Sequence, residues 1–482
     1  MNLADFSTAV NNINSAVNNF VWGPVMLVLL VGCGVLLTLR TGVLQITKFK
    51  LWWSSTIVSI FKDRSVHDKT DKHSLSQFQA LTTALAATVG TGNVAGVATA
   101  IVAGGPGAVF WMWLSAFFGM CTKYSEALLA VLFRYKEPDG SWMGGAMVYL
   151  RKGVGGWFGK FLGGLFCVFA ALAAFGIGNM TQVNSIAGSI TRLFPAVPAW
   201  VVGVVLILLV GAVVLGGLKR IGAVTEKLVP FMACFYILGG LVVIIANANH
   251  IGQAFGQIFS EAFSMRAVGG GVAGVVMMNA MRFGVARGVF SNEAGLGSAS
   301  MAHATANVKE PVKQGLWGVF EVFADTIIVC TITALSILTA FPDVASVGLD
   351  GAPLSMAAFG TVFGTAGEVI VAIGLCLFAF STVIGWSYYG NRAVTFLLGD
   401  WAGTPYNIIF ILAIMGGCMG GLKLVWDIAD TLNGLMAIPN LIGLVLLSGV
   451  VSRATKDYLT RRREPGYREL SRDYKQFIKR RP

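Results

Sequence analysis

The amino-acid sequence predicts an all-α polytopic membrane protein with about 11 transmembrane helices, and three observations support this fold class. Of the 482 residues, 55% are hydrophobic and only 12% are charged, whereas soluble domains carry about 25% charged residues. The mean hydropathy is +0.73. Apolar stretches of bilayer-spanning length, about 20 residues, recur along the chain. A soluble fold is excluded because its water-exposed surface could not hold so many apolar side chains.

The N-terminal segment and the span positions follow from charge and hydropathy. Residues 1–21 contain Asp5 but no lysine or arginine, so they lack the basic start of a secretory signal peptide. We interpret them as an amphipathic N-terminal lead-in that is not cleaved. The transmembrane domain is expected at 22–452 and begins with an extra helix at 22–39. Further spans are predicted at 78–102, 107–133, 158–192, 199–217, 226–246, 270–308, 312–341, 364–391, 403–421 and 433–451.

Lysine and arginine residues are distributed unevenly between the loops on the two sides of these spans. With the N-terminus outside, only Arg192, Arg266 and Lys423 fall in outer loops, and the other loop cations face the cytoplasm. Cytoplasmic loops are enriched in Lys and Arg, so we expect the N-terminus outside and the C-terminus inside, in the cell inner (cytoplasmic) membrane. The basic segment 453–482 is then a cytoplasmic tail beside anionic lipid, with a regulatory partner site as the alternative. The net charge of +12 reflects this orientation and predicts no nucleic-acid partner.

Cysteine and histidine residues give no pattern of a metal centre or a disulfide framework. The seven cysteines and four histidines are scattered, without CxxC or HExxH spacing, and each cysteine lies in an apolar run, as a small packing residue does. His303 is the one histidine placed inside a span, and no serine–aspartate arrangement around it fits a nucleophilic enzyme. We also find no rings of like charge or repeated carbonyl filter, which a channel needs. The sequence therefore predicts neither an enzyme nor a channel.

Two predicted spans contain clusters of glycine and small polar residues at mid-membrane depth. One cluster lies at 86–96 and the other at 284–297. Unpaired backbone groups in a bilayer are costly unless they line a site, so we expect both helices to be broken there. The alternative is that these glycines only allow close helix packing.

The positions of the two breaks predict an internal inverted repeat. With the extra helix set aside, the breaks fall in the first span of each five-span half, 78–246 and 270–451, and the halves enter the membrane from opposite sides. This arrangement is typical of secondary transporters with a midplane site. Broken helices offer free N–H groups to an anion and free C=O groups to a cation. The predicted site suits a zwitterion together with a monovalent metal ion.

Several motifs resemble those of a known transporter family. Residues 104–119, GGPGAVFWMWLSAFFG, are similar to the signature of the alanine or glycine:cation symporter family. Residues 90–93 (GTGN), 287–295 (RGVFSNEAG) and 385–390 (GWSYYG) are also similar to that family, and the likeness runs from about residue 22 to residue 452. The resemblance implies a LeuT-like fold, with a 5+5 inverted repeat after one extra N-terminal helix, and transport of small neutral amino acids with Na⁺.

The resemblance also assigns roles to individual residues. The substrate carboxylate would meet the backbone N–H groups of Thr91 and Gly92. Gln182 would bond the substrate ammonium or carboxylate, with an interhelical hydrogen bond as the alternative. Phe290 and Trp386 would wall a methyl-sized pocket, with ordinary core packing as the alternative for Trp386. The full implied substrate-binding set is Gly90, Thr91, Gly92, Asn93, Gln182, Phe290, Ser291, Asn292, Thr382 and Trp386.

The implied Na⁺ site combines carbonyl and hydroxyl oxygens, the ligands that a hard cation prefers. Its members are the carbonyls of Ala86 and Val89 and the hydroxyls of Ser381 and Thr382, with a further carbonyl from around Phe378. The resemblance also implies a second Na⁺ site, from Thr88, Asn93 and an oxygen of the seventh span, to which Asp325 could contribute; family members need not use that site.

Charged residues inside spans are costly and are therefore candidates for function. Asp325 lies in the eighth predicted span with Glu321 one turn earlier on the same face, and Arg287 and Glu293 flank the second break. Arg287 and one of these carboxylates could form a gate that opens and closes with substrate; a static structural ion pair is the alternative. Two charged residues of the third span are interpreted as structural: Lys123 and Glu126.

The predicted function is Na⁺-coupled symport of alanine, glycine or both into the cell by alternating access. The expected partners are Na⁺ as the co-transported ion, a small neutral amino acid and the lipid bilayer. The alternative is a proton-coupled symporter of the same fold, including one for a larger neutral amino acid such as glutamine, because Asp325 or Glu293 could carry a proton. A monomer is the simplest expectation, and the sequence leaves the oligomeric state open.

Overall fold

Long apolar helices make up almost all of the structure. The structure, a computed structural model, describes residues 3–264, 275–420 and 423–462. Within these residues, eight helices are long and apolar enough to cross a membrane, and a ninth crossing is a pair of helices that meet at a bend of 52°. The predicted all-α polytopic membrane class is therefore confirmed.

Two helices and a series of short helical turns precede the first broken span. Helix α1 (Leu3–Val21) covers the predicted lead-in, and α2 (Pro24–Arg40) covers the extra helix. Pro24 in the first turn of α2 costs no hydrogen bond, because N–H groups there have no intrahelical acceptor. The basic loop that follows contains α3 (Leu44–Thr47), α4 (Phe49–Ser55), α5 (Ile57–Lys62) and a 3₁₀ turn (Arg64–His67).

The first broken span starts at a well-capped helix end. Helix α6 (Gln77–Thr88) begins with a capping box, in which the side chains of Ser76 and Gln79 each accept the other residue's backbone N–H. The elements that follow are a π-helical turn (Gly92–Gly96), α7 (Val97–Gly104), α8 (Ala108–Phe133), the antiparallel strands β1 (Tyr135–Lys136) and β2 (Trp142–Met143), and α9 (Ala146–Tyr149).

The predicted span 158–192 is one continuous helix of 38 residues. It consists of α10 (Gly156–Phe175), a π turn (Gly176–Met180) and α11 (Thr181–Leu193), and another π turn (Leu150–Val154) precedes it. Next come α12 (Ala199–Val214), α13 (Gly217–Ala246), a 3₁₀ turn (Ala248–His250) and α14 (Ile251–Ala262). Helix α14 was not predicted, because its 12 residues are too few for a membrane span.

The predicted span 270–308 is wrong as a single helix. The structure has α15 (Val275–Asn292), an unwound segment at 293–299 and the short helix α16 (Ser300–His303). Residues 265–274, which contain the predicted start of this span and of the second repeat, lie outside the described residues. A break in this span was expected from its glycines and small polar residues.

The remaining helices correspond to the last four predicted spans, with one addition. They are α17 (Pro311–Val322), a π segment (Phe323–Cys330), α18 (Thr331–Ala340), a 3₁₀ turn (Val344–Val347), α19 (Gly351–Phe363), α20 (Thr365–Leu398), a 3₁₀ turn (Asp400–Ala402), α21 (Gly403–Met419) and α22 (Lys423–Arg461). Helix α19, with 13 residues, was not predicted. The predicted tail 453–482 begins inside α22, and its residues 463–482 lie outside the described residues.

A buried ionic cluster joins α8, α16 and α17. Lys123 Nζ lies 3.3 Å from Glu321 Oε1, and His303 Nε2 lies 2.8 Å from Glu321 Oε2. Gln314 Nε2 lies 2.8 Å from the other ring nitrogen of His303. All four side chains are fully buried. Because an unpaired buried charge is costly, this cluster fixes the three helices relative to one another.

Replacing Lys123 by methionine should destabilise the protein strongly, because Glu321 would lose its cation inside the core. We expect the free energy of unfolding to fall by about 3–5 kcal/mol, measured by thermal unfolding in detergent. The exposed pair of Lys69 and Glu226, 2.7 Å apart, provides the control: Lys69→Met should cost less than about 1 kcal/mol. The double variant Lys123→Met/Glu321→Gln should recover part of the loss. Equal stability of the Lys123→Met and Lys69→Met variants would contradict a structural role for the cluster.

Candidate substrate and cation site

Two side chains take backbone N–H groups away from the helix at the first break. In a continuous helix, the Gly90 N–H would donate to the Ala86 carbonyl. Instead, Gly90 N lies 2.8 Å from Asn93 Oδ1, and Thr91 N lies 3.4 Å from Gln182 Oε1. The Ala86 carbonyl is therefore released from the helix at mid-span.

The Val89 carbonyl is released in the same way. The Asn93 N–H, its donor in a continuous helix, bonds to the Gly90 carbonyl at 3.2 Å. The hydroxyl of Thr382 lies directly beside this break, because a methyl group placed on Gly90 would come within 2.6 Å of Thr382 Oγ1. The break thus brings free carbonyls close to a hydroxyl of α20.

Four of the oxygens predicted for Na⁺, those of Ala86, Phe378, Ser381 and Thr382, lie together between α6 and α20. Ser381 Oγ donates to the Ala86 carbonyl at 3.1 Å and lies 2.8 Å from the Phe378 carbonyl. Thr382 Oγ1 donates to the same Phe378 carbonyl at 3.0 Å. Each of these four residues is at most 2% exposed. The arrangement offers a hard cation several neutral oxygens at one buried position.

An asparagine also diverts a backbone N–H at the second break. The Ala294 N–H, which would donate to the Phe290 carbonyl in a continuous helix, donates to Asn292 Oδ1 at 2.9 Å. Only 293–299 is unwound, a shorter segment than the predicted cluster at 284–297. The Phe290 carbonyl therefore has no helical donor and lies in the last turn of α15. The C-terminal end of a helix carries partial negative charge.

The earlier glycines of that cluster serve close packing instead. Gly288 lies in the helical part of α15 against α8, where a methyl group would come within 2.8 Å of Ser115 Oγ. Gly284 similarly lies against the Ala108 carbonyl. The packing interpretation therefore holds for the first part of the second cluster, and the break itself begins after Asn292.

A buried carboxylate of α8 binds the free N–H groups of the second break. Gly295 N and Gly297 N each lie 3.1 Å from Glu126 Oε1, and Asn440 Nδ2 of α22 lies 2.6 Å from the same oxygen. The two glycines have positive φ angles of 94° and 82°, which residues with a Cβ rarely adopt. The Ser291 carbonyl loses its helical donor as a result. Anion-binding groups at this break are thus already occupied by the protein.

Asp325 connects the two broken helices. Its Oδ1 accepts from Asn93 Nδ2 at 2.7 Å, and its Oδ2 accepts from the hydroxyls of Ser291 and Thr326, both at 2.8 Å. It is fully buried in the π-helical segment of the eighth span, and such segments are frequent at functional sites. Thr88, predicted to join these residues in a second Na⁺ site, bonds to carbonyls of its own helix. Asn93, Asp325 and the Ser291 hydroxyl of the seventh span are thus in contact, and the second Na⁺ site stays a prediction.

Glu293 begins the unwound segment and contacts the cavity. Its Oε1 accepts from Trp386 Nε1 at 2.9 Å, and its Oε2 accepts from the Ser298 hydroxyl. Its φ angle is 55°, and such strain in a residue other than glycine is concentrated at functional sites. The carboxylate is thus held in a fixed position at the second break.

The gate pair predicted for Arg287 is not present. Among the described residues, no ion pair forms between Arg287 and Glu293, Glu321 or Asp325. The Arg287 guanidinium instead lies over the ring of Phe290, 5.5 Å from its centroid. The carboxylates have nearer partners, because helix packing and not sequence distance decides which charges meet.

One small cavity lies between the two breaks. Its volume is about 10 Å³, which is room for about one water molecule. The cavity must therefore widen to admit an amino acid. The cavity is lined by Ala87, Thr88, Gly90, Gly92, Ile177, Gln182, Phe290, Glu293, Leu296, Thr382, Trp386 and Asn433.

The structure separates the predicted substrate residues into two groups. Those that line the cavity are Gly90, Gly92, Gln182, Phe290, Thr382 and Trp386. Thr91 is tied to this group through its N–H bond to Gln182. The others bond to side chains of the eighth span behind the cavity and support its walls: Asn93, Ser291 and Asn292.

Asn433 is a cavity residue that the sequence analysis missed. The predicted span begins at residue 433, which places this side chain at a membrane boundary. Helix α22 instead starts at Lys423, so Asn433 lies well inside the helix and is fully buried. A polar side chain inside an apolar span is itself a signal of function, and extending the span would have revealed it.

Comparison with known proteins identifies the family. The sequence model of the sodium:alanine symporter family matches residues 7–471. The chain belongs to this family. It is therefore an integral membrane transporter of the amino-acid:cation symporter class and not an enzyme, which confirms the family resemblance of its motifs.

Individual relatives cover nearly the whole chain. It is 50% identical to the sodium/alanine symporter AgcS of Methanococcus maripaludis over 463 residues, which are 94% of this chain and 97% of that protein. It is 38% identical to the amino-acid carrier protein AlsT of Bacillus subtilis, covering 94% and 93% of the two chains. It is 37% identical to a Bacillus subtilis protein named "Probable sodium/glutamine symporter GlnT", covering 93% and 90%.

Replacing Asn93 by alanine should weaken cation binding, because the Gly90 N–H would regain the Ala86 carbonyl as its acceptor. We expect the stabilisation of the protein by NaCl relative to choline chloride, measured as a shift in Tm, to fall by more than half. Overall stability should also drop by about 1–3 kcal/mol, because Asp325 loses a buried donor. Asn184→Ala, which removes a bond to the Gly417 carbonyl away from the break, should keep the full NaCl effect. An unchanged NaCl effect in the Asn93 variant would contradict this role.

Proposed function

We propose that this protein is a Na⁺-coupled symporter that carries alanine, glycine or both into the cell by alternating access. The observation that carries the proposal is that the two breaks, beside one cavity, take both N–H groups and carbonyls out of helical hydrogen bonding. N–H groups at a helix break favour an anion, and carbonyls favour a cation. The site is therefore complementary to a zwitterion accompanied by a metal ion. The family and the names of the relatives support the same class of substrate.

The substrate carboxylate is proposed to bind at the first break. There the Gln182 side-chain oxygen accepts the Thr91 N–H at 3.4 Å, the position that a carboxylate oxygen would take. The Gln182 side-chain nitrogen donates to the Ile177 carbonyl at 2.9 Å. Rotation of this carboxamide would free the Thr91 N–H group and turn a donor toward the incoming carboxylate.

The substrate ammonium is proposed to bind at the second break. The carbonyls of Phe290 and Ser291 have lost their helical donors and lie at the negative end of α15. The Glu293 carboxylate lines the same cavity. This side of the cavity is therefore rich in hydrogen-bond acceptors. The N–H groups of the second break, those of Gly295 and Gly297, are already bonded to Glu126. The zwitterion is therefore oriented with its carboxylate toward α6 and its ammonium toward α15.

Aromatic side chains limit the size of the substrate. Phe290 lies directly against the first break, since a methyl group on Gly92 would come within 3.0 Å of its ring. Trp386 is only 2% exposed and is held by its bond to Glu293. These walls favour a hydrogen atom or a methyl group as the substrate side chain, which supports glycine and alanine.

Na⁺ is proposed to bind among the oxygens between α6 and α20. In the structure, the Ser381 and Thr382 hydroxyls donate to the Ala86 and Phe378 carbonyls. A hydroxyl can rotate and present its lone pairs instead. Together with the released Val89 carbonyl, these groups would supply five oxygens, a donor set that suits a hard cation.

The inward Na⁺ gradient and the membrane potential set the direction of transport. We propose that the N-terminus lies outside and the C-terminus in the cytoplasm, which the distribution of loop cations supports. One Na⁺ with a neutral zwitterion carries one charge inward. A potential of 100 mV then supplies about 2.3 kcal/mol, and a tenfold Na⁺ gradient supplies about 1.4 kcal/mol more. Their sum corresponds to about 500-fold accumulation, so one coupled ion suffices for a concentrative transporter.

Uptake into proteoliposomes tests the substrate and the coupling ion. We expect an inward Na⁺ gradient to drive accumulation of labelled alanine or glycine, and replacement of Na⁺ by choline at constant pH to abolish it. Uptake that persists in choline and follows an inward proton gradient would support the proton-coupled alternative. Accumulation of glutamine in preference to alanine and glycine would refute the proposed substrate.

Ser381→Ala tests the proposed cation site. We expect the Na⁺ concentration for half-maximal uptake to rise about tenfold or more, because a lost ligand to a charged group is worth about 1.5–3 kcal/mol. Ser387 provides a matched control on the same helix: it is fully buried and donates to the Ile384 carbonyl at 2.7 Å, away from the oxygen cluster. Ser387→Ala should leave the Na⁺ dependence within about twofold of the original value. Equal Na⁺ dependence of uptake in Ser381→Ala and Ser387→Ala would contradict a cation site at Ser381.

A further inference from the structure

Within the part of the chain that the structure describes, Asn433 has no hydrogen-bond partner although it is fully buried. Neither its Oδ1 nor its Nδ2 bonds to any group in the described part of the chain. Its side chain lines the cavity between the two breaks and has 0% exposed surface. Most buried polar atoms in proteins have a partner, so a carboxamide with two unbonded atoms at a binding cavity indicates a ligand that bonds to it.

Asn440, on the same helix, shows that a buried asparagine of α22 can have hydrogen-bond partners. Asn440 is also fully buried. Its Nδ2 donates to Glu126 Oε1 at 2.6 Å and to the Gly295 carbonyl at 2.9 Å, and its Oδ1 accepts from the Tyr149 hydroxyl. Asn440 therefore holds the second break in place, whereas Asn433 contributes no such bond.

An unbonded carboxamide destabilises the substrate-free protein. A buried donor or acceptor without a partner costs its full desolvation free energy, and a leucine of similar shape would avoid that cost. A residue retained at this cost is expected to gain a partner in another state of the protein. The ligand must supply both an acceptor for Nδ2 and a donor for Oδ1.

We infer that Asn433 is a substrate-binding residue that pairs with the ammonium and the carboxylate of one α-amino acid. This inference rests on the proposed function and adds a third contact to the two breaks. Both charged groups of an α-amino acid are attached to one carbon atom, as the oxygen and nitrogen of a carboxamide are. Asn433 can therefore face both groups at once, donating to the carboxylate and accepting from the ammonium. It recognises the part that all α-amino acids share and does not select the side chain.

The isomers alanine and β-alanine separate this role from a general effect on the site. They have the same atoms and charges, but β-alanine holds its ammonium one carbon further from its carboxylate. One carboxamide cannot pair equally well with both groups of β-alanine. Removal of Asn433 should therefore weaken alanine binding more than β-alanine binding.

The experiment measures equilibrium binding of labelled alanine to the purified full-length protein in NaCl, with β-alanine as competitor. In Asn433→Leu, we expect the Kd for alanine to rise about tenfold or more and the preference for alanine over β-alanine to fall by a similar factor. The Tm of the substrate-free variant should stay equal or rise, because an unbonded polar group has been removed. Asn440→Leu should instead lower the Tm.

Two results would overturn the inference. One is an unchanged preference for alanine over β-alanine, whether or not both affinities fall. The other is a lower Tm of Asn433→Leu with an unchanged Kd for alanine, which would assign Asn433 a structural role through a bound water. If the leucine variant does not fold, Asn433→Ala gives the same comparison. If the unmodified protein binds neither alanine nor glycine, the proposed function fails before Asn433 is tested.

Discussion

The bilayer provides no water for backbone groups, so every N–H that leaves a helix must find a partner within the protein. In this chain Asn93 and Asn292 are two of those partners, one at each break. Asn93 accepts the Gly90 N–H and so releases the Ala86 carbonyl from the helix. Asn292 accepts the Ala294 N–H and so releases the Phe290 carbonyl. The oxygen cluster between α6 and α20 and the acceptor-rich end of α15 both depend on this exchange. Asp325, bonded to Asn93 and Ser291, then fixes the two broken helices relative to each other.

The sequence was sufficient to predict most membrane crossings, because span length and hydropathy depend on local composition. The bend of 52° at the first break was expected from its glycines and small polar residues. The second break was predicted too long, because Gly284 and Gly288 pack against α8 while only the glycines after Asn292 belong to the unwound segment. Composition alone does not distinguish a glycine that allows close packing from one that allows a positive φ angle.

Pairing among the charged and polar side chains could not be predicted, because it depends on which helices are neighbours. Glu321 lies near Asp325 in sequence, yet its partners are Lys123 and His303. Asn433 was overlooked because the apolar pattern of its helix begins only at that residue, whereas the helix itself begins earlier. Long-range contacts of this kind link α8, α17 and α22 across hundreds of residues, and a single sequence carries little information about them.

Thr382 belongs both to the cavity and to the oxygen cluster between α6 and α20. A side chain shared by two ligands makes their binding equilibria thermodynamically linked. The factor by which the ion tightens amino-acid binding must then equal the factor by which the amino acid tightens ion binding. In the proposed mechanism, coupled binding of the two ligands would thus require no separate relay between distant sites, since one hydroxyl would contact both.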